Sequence, residues 1–78
     1  MYYTYVLKSE IDSKLYIGWT DNLRNRLAKH NNGQVPATAS RKPLKLLYYE
    51  ACMNKNHAIA REKYFKTGYG RSFLKLRI

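Results

Sequence analysis

The hydrophobic positions of this chain first follow a strand-like pattern. Residues 2–8 (YYTYVLK) and 14–20 (KLYIGWT) are rich in aromatic and β-branched side chains, which favour β-strands. Residues 9–13 (SEIDS), which separate them, are typical of a turn, so the two runs predict an N-terminal hairpin. A third run, residues 44–52 (LKLLYYEAC), predicts another strand.

The interval after the hairpin has the pattern of a helix. This first helix is predicted from about Asn22 to Asn31 or Asn32, where a glycine follows as a stop signal. Thr20 or Asp21 is its expected N-cap, because both side chains can accept a hydrogen bond from the first turn.

The second half of the chain predicts two further helices. Residues 34–44 contain both prolines and predict a loop. Asn54 or Asn56 caps a helix that runs to about Thr67 before a glycine, and residues 69–78 suit a short final helix. The order β-β-α-β-α-α describes an α+β fold, with a small, three-stranded, mainly antiparallel sheet flanked by helices. At 78 residues, the whole chain is expected to form a single domain.

The charge of the chain is strongly positive and uneven. Fifteen Lys and Arg residues face five Asp and Glu, a net charge of +10, and residues 41–78 alone carry +8. So strong a potential on so small a body attracts polyanions, and a pI near 10 is typical of nucleic-acid-binding domains. Nucleic acid is therefore the expected partner, ahead of an acidic protein.

Cysteine content and hydropathy favour a reducing compartment. The single cysteine, Cys52, cannot form an internal disulfide and lies in an apolar run that predicts burial. No stretch approaches the length of a membrane span, and no signal peptide is recognisable. We expect a cytoplasmic protein without membrane association, monomeric by default.

Two basic residues of the first helix share a face. Arg26 and His30 stand at i and i+4, next to the apolar stripe of Leu23 and Leu27. They can lean along the edge of the sheet or form an exposed pair on a solvated face. From the spacing alone, the exposed pair is the stronger interpretation.

A glutamate on the second helix is out of place. Glu62 falls among Ala58, Ile59 and Phe65, which define the apolar side. A carboxylate that faces a core is costly unless a cation or a metal ion pairs with it. An ordinary i,i+4 ion pair with Lys66 is an equally good explanation, and both stay open.

The scarcity of acidic residues limits the chemistry. A pair of catalytic carboxylates of the glycosidase type is implausible, and so is a two-metal phosphodiesterase, which needs several acidic ligands. Two histidines and one cysteine are too few for a structural zinc site. The remaining option is one hard cation held by one carboxylate, water and substrate phosphate, as Mg²⁺ often is.

An ordered set of motifs gives a resemblance to a known family. Residues 16–18 read Tyr-Ile-Gly, and residues 4–6 (Thr-Tyr-Val) lie where a Gly-Ile-Tyr would. YIGWTDNLRNRLAKH (16–30), SRKPLKLLYYE (40–50) and HAIAREKYFK (57–66) follow in order. This set resembles the GIY-YIG nucleases. Within that family it resembles small stand-alone members related to the N-terminal nuclease domain of the bacterial excision-repair incision subunit.

The resemblance implies a metal-dependent endonuclease that acts mostly on DNA in repair or recombination, with Mg²⁺ or Mn²⁺ and no organic cofactor. The positions that match the family's catalytic residues are Tyr5, Tyr16, Arg26, His30 and Glu62.

Each of these positions has an expected role. Glu62 holds the metal ion, and Arg26 stabilises the charge that builds on the phosphate oxygens. Tyr5 is expected as the general base, with Tyr16 orienting the water or the phosphate, or the reverse. His30 positions the phosphate or the attacking water, or protonates the leaving oxygen.

Whether the two tyrosines meet depends on the hairpin register. Tyr5 directly opposes Tyr16 if the numbers of paired residues sum to twenty-one, whereas a sum of twenty-two puts the two tyrosines on opposite faces. The sequence leaves both registers open.

Nucleic-acid contacts are expected mainly from the basic second half of the chain. Gly18 is expected to leave room for the substrate backbone. The expected phosphate contacts are Arg41, Lys42, Lys45, Lys63, Lys66 and Arg71. Such contacts carry little base-sequence information, so we expect selection of nicks, flaps or branches, or a substrate delivered by a protein partner.

Two other classes of function compete with a nuclease. A non-catalytic nucleic-acid-binding module, associated with RNA or the ribosome, explains the charge and the aromatic residues equally well, but it does not explain Glu62. A protein–protein adaptor predicts that nucleic-acid binding depends only weakly on salt.

Overall fold

The computed structural model describes residues 1–78 as one three-stranded sheet with three helices. In chain order the elements are β1 (Tyr2–Ser9), β2 (Leu15–Thr20), α1 (Leu23–Asn31), β3 (Leu44–Cys52), α2 (Lys55–Phe65) and α3 (Gly68–Lys75). β1 is the central strand in the order β2-β1-β3, and both strand pairs are antiparallel. The predicted α+β fold and the order β-β-α-β-α-α are confirmed.

The hairpin register differs from both registers considered above. Tyr5 pairs with Gly18 and Leu7 pairs with Tyr16, so the paired numbers sum to 23. The connection is longer than a four-residue loop because the Ser9 hydroxyl accepts hydrogen bonds from two backbone N–H groups of the turn, at 3.1 and 3.3 Å. The sum is odd, so Tyr5 and Tyr16 share one face of the sheet, on a diagonal.

The first helix begins later than predicted. Its N-cap is Asn22, whose side chain accepts a hydrogen bond from the Asn25 N–H at 3.1 Å. Thr20 and Asp21 are not the cap, because the Thr20 hydroxyl is already used to accept from the Asn22 N–H. The helix ends at Asn31, as expected.

The second and third helices meet at a sharp joint. Asn54 caps α2, as expected, by accepting hydrogen bonds from two N–H groups of the first turn. The end predicted at about Thr67 is wrong by two residues, because the Thr67 hydroxyl caps α3 by accepting from the Gly70 N–H. Gly68 therefore opens α3 and does not terminate α2. None of the three helices is both long and apolar enough to cross a membrane.

The sheet is covered on both faces, and β1 contributes to both layers. On one face Val6 packs with Ile17 of β2, Phe65 of α2 and Leu74 of α3. On the other face lies a second cluster that packs against the leucines of α1; its buried members are Tyr5, Leu7 and Leu44. The candidate catalytic tyrosines thus belong to the α1 face.

Candidate active site

The site is built around the phenol of Tyr5. Tyr5 is only 1% exposed and stands opposite Gly18 in the β1–β2 ladder. A Cβ atom at Gly18 would lie 2.5 Å from Tyr5 Oη. The sequence led us to expect that Gly18 leaves room for nucleic acid, but the space above it is filled by the Tyr5 ring.

Helix α1 brings Arg26 and His30 to this phenol. Tyr5 Oη lies 2.9 Å from His30 Nε2, and Arg26 Nε donates a hydrogen bond to the same oxygen at 3.4 Å. His30 is completely buried and Arg26 is half-buried. The interpretation of an exposed basic pair is therefore wrong, because both side chains turn towards the sheet.

The other nitrogen of His30 binds a residue that the sequence analysis missed. His30 Nδ1 lies 2.7 Å from Thr38 Oγ1, and Thr38 is completely buried in the connection between α1 and β3. A threonine in a segment of small and polar residues carries no sequence signal of burial. With both nitrogens engaged and no exposed surface, His30 does not reach a phosphate or a water molecule in the groove.

Tyr16 is the phenol that faces outwards. It is half-buried, and its ring lies edge-on to His30, with the ring centroids 5.0 Å apart. Tyr16 contributes to an open groove of about 300 Å³ that it shares with Leu15, Ile17, Lys66 and Arg71. Of the five predicted catalytic residues, only Tyr16 lines this groove.

Glu62 stands near the same edge on α2. Its side chain is 20% exposed, and Lys66 Nζ lies 3.4 Å from its Oε2. The negative charge of Glu62 also contributes to the raised pKa of Tyr5, which places the carboxylate within electrostatic range of the phenol cluster. The ion pair with Lys66 is present, and Lys66 is the member of the pair that lines the groove.

Burial determines the protonation states of His30 and Tyr5. Burial, assisted by the positive charge of Arg26, lowers the pKa of His30 from 6.5 to about 4. Burial also raises the pKa of Tyr5, against the opposing effect of its hydrogen bond with Arg26. Around neutral pH, His30 is therefore neutral, with one N–H and one lone pair, and Tyr5 is an un-ionised phenol.

Arg26 interacts with both Tyr5 and Tyr16. The pKa of Arg26 is raised, first by the hydrogen bond to Tyr5, with a further contribution from Tyr16. One permanent cation thus interacts with both a buried phenol and a partly exposed one.

Comparisons with known proteins identify the family of this chain. The GIY-YIG catalytic domain matches residues 1–75. The chain belongs to the GIY-YIG family. It is 48% identical to a UPF0213 protein of Clostridium perfringens over 67 residues, which are 85% of this chain and 71% of that relative. A UPF0213 protein of Staphylococcus saprophyticus is 38% identical over 76 residues, 96% of this chain and 92% of that relative. No solved structure gives a significant match.

GIY-YIG nucleases use a divalent metal ion, and the donor set of this chain fits one. No group of three His, Cys, Asp or Glu side chains lies together anywhere in the structure. Glu62 is the acidic side chain near the phenols, and its contact with Lys66 is long and partly exposed. A single carboxylate suits a hard ion that keeps most of its water and binds substrate oxygens.

Five of the six predicted phosphate contacts divide into two groups. Lys66 and Arg71 line the groove with Tyr16. Lys42, Lys45 and Lys63 are exposed outside it, and Lys45 lies in a separate groove near the hairpin turn.

Arg41 has a structural partner. Its Nε lies 2.8 Å from Asp12 Oδ2, and its Nη2 donates to Asp12 Oδ1 at 3.3 Å and to the Lys14 carbonyl at 3.1 Å. This clamp holds the hairpin turn against the segment before β3. A phosphate contact of Arg41 would have to compete with it.

The largest concave surface lies elsewhere in this GIY-YIG domain. A groove of about 490 Å³ is bordered by the apolar side chains Tyr3, Leu23, Leu27, Leu46 and Tyr49. None of the five predicted catalytic residues lines it. The chemistry of the side chains, and not the size of the groove, identifies the site.

Proposed function

We propose that this protein is a metal-dependent endonuclease that hydrolyses phosphodiester bonds, chiefly in DNA of particular structure, during repair or recombination. The observation that carries the proposal is the hydrogen bond from Arg26 to Tyr5, next to a second phenol, Tyr16, that lines a groove together with Lys66 and Arg71. A non-catalytic binding module has no need of a buried Tyr–His pair behind such a groove.

We assign the general base to Tyr16 and not to Tyr5. A base must reach the attacking water, and Tyr16 lines the groove whereas Tyr5 is buried. The raised pKa of Tyr5 and its two hydrogen-bond partners keep it as a phenol. This reverses the order favoured from the sequence.

The reaction divides among the remaining residues. Arg26 stabilises the negative charge that grows on the phosphate oxygens, and it also lies beside the charge on Tyr16 when that phenol is ionised. Ionised Tyr16 takes a proton from the attacking water, the water oxygen bonds to phosphorus, and the bond to the leaving oxygen breaks. That oxygen takes its proton from solvent.

Glu62 would hold the divalent metal ion, and the ion would supply charge neutralisation at the phosphate. Lys66 and Arg71, which line the groove, contact the phosphate backbone.

The preference for DNA structure follows from the distribution of charge. The basic residues of the groove and of the outer surface bind phosphates, which are the same in every base sequence. We propose that the protein acts as a cytoplasmic monomer, and that nicks, flaps or branches, or a delivering protein, select the site of cleavage.

The test compares cleavage and binding in matched variants. Labelled single-stranded, duplex, flap and four-way DNAs are incubated with Mg²⁺ or Mn²⁺ and with wild type, Glu62→Gln or Tyr16→Phe. Glu10→Gln is the control, because Glu10 has the same charge but lies in the separate groove near the hairpin turn. We expect cleavage to require metal, to vanish in the first two variants and to persist in the control, while binding is retained in all. DNA binding without cleavage in wild type would instead support the binding module.

A further inference from the structure

The four polar side chains behind the groove form one continuous chain of hydrogen bonds. Arg26 Nε contacts Tyr5 Oη at 3.4 Å, Tyr5 Oη contacts His30 Nε2 at 2.9 Å, and His30 Nδ1 contacts Thr38 Oγ1 at 2.7 Å. Thr38 Oγ1 ends the chain at the Val35 carbonyl, 3.5 Å away. No buried side-chain nitrogen or oxygen of the protein lacks a partner.

The two ends of this chain of hydrogen bonds determine which atom donates and which accepts in each bond. A guanidinium can only donate hydrogen bonds, and a carbonyl can only accept them. Tyr5 Oη therefore accepts from Arg26 and donates its own proton to His30 Nε2. His30, which is neutral, must then carry its proton on Nδ1 and donate it to Thr38, and Thr38 donates to Val35.

The opposite direction leaves groups unmatched. If His30 carried its proton on Nε2, Tyr5 Oη would face N–H groups from both His30 and Arg26. Thr38 would have to turn its proton from the Val35 carbonyl to His30 Nδ1. The buried polar groups would then lose bonds that the first direction supplies, which is costly without water.

We propose that Thr38 is a positioning residue: its hydroxyl holds His30 in the Nδ1–H form, and Tyr5 thereby presents its oxygen lone pair to Arg26. Thr38 touches neither the groove nor any reacting group. Thr38 acts on Arg26 through His30 and Tyr5. The role of Arg26 at the phosphate rests on the proposed function, whereas the tautomer of His30 does not.

The backbone around Thr38 is suited to this task. The Thr38 N–H donates to the Val35 carbonyl at 3.0 Å, and the Arg41 N–H donates to the Thr38 carbonyl at 2.9 Å. The hydroxyl is thus held by turns on both sides of it. A residue that orients a catalytic group in this way typically changes activity ten- to a hundredfold when its bond is lost, by about the factor seen for outer partners of metal ligands.

The first experiment measures the tautomer of His30 directly. In ¹⁵N-labelled protein at neutral pH, two-bond ¹⁵N–¹H correlations show which ring nitrogen carries the proton. The chain has only one other histidine, His57, so a His57→Gln variant completes the assignment. We expect Nδ1–H in wild type. A proton on Nε2 in wild type would overturn the proposal without any further variant.

The second experiment changes Thr38 while keeping its shape. Thr38→Val is expected to abolish the pure Nδ1–H form and to speed solvent exchange of the Arg26 Nε–H, whereas Thr38→Ser restores both. Thr4→Val is the control, because Thr4 is equally buried but donates to the Ala58 carbonyl at 2.8 Å on the opposite face of the sheet. Retention of Nδ1–H and slow exchange in folded Thr38→Val would refute the proposal.

Cleavage assays add a readout that depends on the proposed function. For single-turnover cleavage at saturating DNA, we expect Thr38→Val to lower the rate about ten- to a hundredfold with unchanged DNA affinity, by analogy with other orienting partners. Thr38→Ser and Thr4→Val should stay near wild type. If wild type does not cleave, the proposed function fails, but the tautomer and exchange measurements still decide the role of Thr38.

Discussion

The ring of Tyr5 lies against the backbone of Gly18, its direct partner across the β1–β2 ladder, in the space that any other residue at position 18 would fill with a side chain. The phenol is thereby directed along the sheet towards α1, where Arg26 and His30 meet it. The glycine of the Tyr-Ile-Gly motif thus controls the geometry of the site from within the sheet.

Gly18→Ala should therefore damage both fold and site. The new methyl group would lie 2.5 Å from Tyr5 Oη and 2.7 Å from the ring, and the ring is buried and cannot move aside freely. We expect a loss of about 1–3 kcal/mol in the free energy of unfolding, as for other overpacked cores, measured by urea denaturation. Gly68→Ala is the control, because a Cβ atom there meets nothing within 4 Å. Equal stability of the two variants would contradict this account.

The two tyrosines should give different results when each loses only its hydroxyl. Tyr16→Phe removes the proposed base and should abolish cleavage with little change in stability. Tyr5→Phe leaves His30 Nε2 without its partner in a buried site, so we expect a cost of about 1–3 kcal/mol in unfolding free energy and a partial loss of activity. Thermal or urea unfolding, combined with single-turnover cleavage, checks both. Full activity of Tyr16→Phe would return the role of base to Tyr5.

Stability should rise with pH between about 4 and 6.5 because of His30. Its pKa is lower in the folded protein, about 4, than the ordinary 6.5, so the unfolded chain binds more protons in this window. The contribution of His30 to the free energy of unfolding is fully present above pH 6.5 and is lost as the pH falls towards 4. At 1.36 kcal/mol per pKa unit it is on the order of 3 kcal/mol.

Urea unfolding of wild type and His57→Gln across this range should show the same slope, because His57 is exposed. A variant that lacks His30, such as His30→Gln, should lose most of this dependence of stability on pH. A slope that follows His57 instead would show that His30 is not the source.

Arg41 should contribute to the hairpin turn more than to DNA affinity. Arg41→Gln removes the largest cause of the lowered pKa of Asp12, so this pKa, about 2 in wild type, should move towards 3.8 in an NMR titration. Arg71→Gln, in the groove, should lower the slope of log affinity against log salt by about 1, as expected for the loss of one phosphate contact. An Arg41→Gln effect on that slope as large as that of Arg71→Gln would mean that the clamp opens on DNA.

The sequence predicted the elements better than their relations. Residues 44–52 match β3 at both ends because their run of leucines and tyrosines marks a strand locally. The register was missed because it depends on how the Ser9 hydroxyl organises the turn, which no periodicity reveals. The family motif identified the tyrosines, but it did not reveal which one is buried.

The surroundings of His30 were the least predictable part of the site. Its partners come from β1 and from the α1–β3 connection, 25 and eight residues away in sequence. Spacing within α1 relates His30 only to Arg26. Thr38 was missed because its burial depends on the path of a loop, which local sequence patterns do not specify.

The strand order has a consequence for the synthesis of the protein on the ribosome. Although β1 is made first, it is the middle strand, and one of its edges stays open until residues 44–52 have been synthesised. Glu62 emerges later still. Since chains emerge from the N-terminus, a nascent or truncated chain that ends before α2 holds both tyrosines, Arg26 and His30 but not Glu62, so under the proposed function it would lack the carboxylate that cleavage requires.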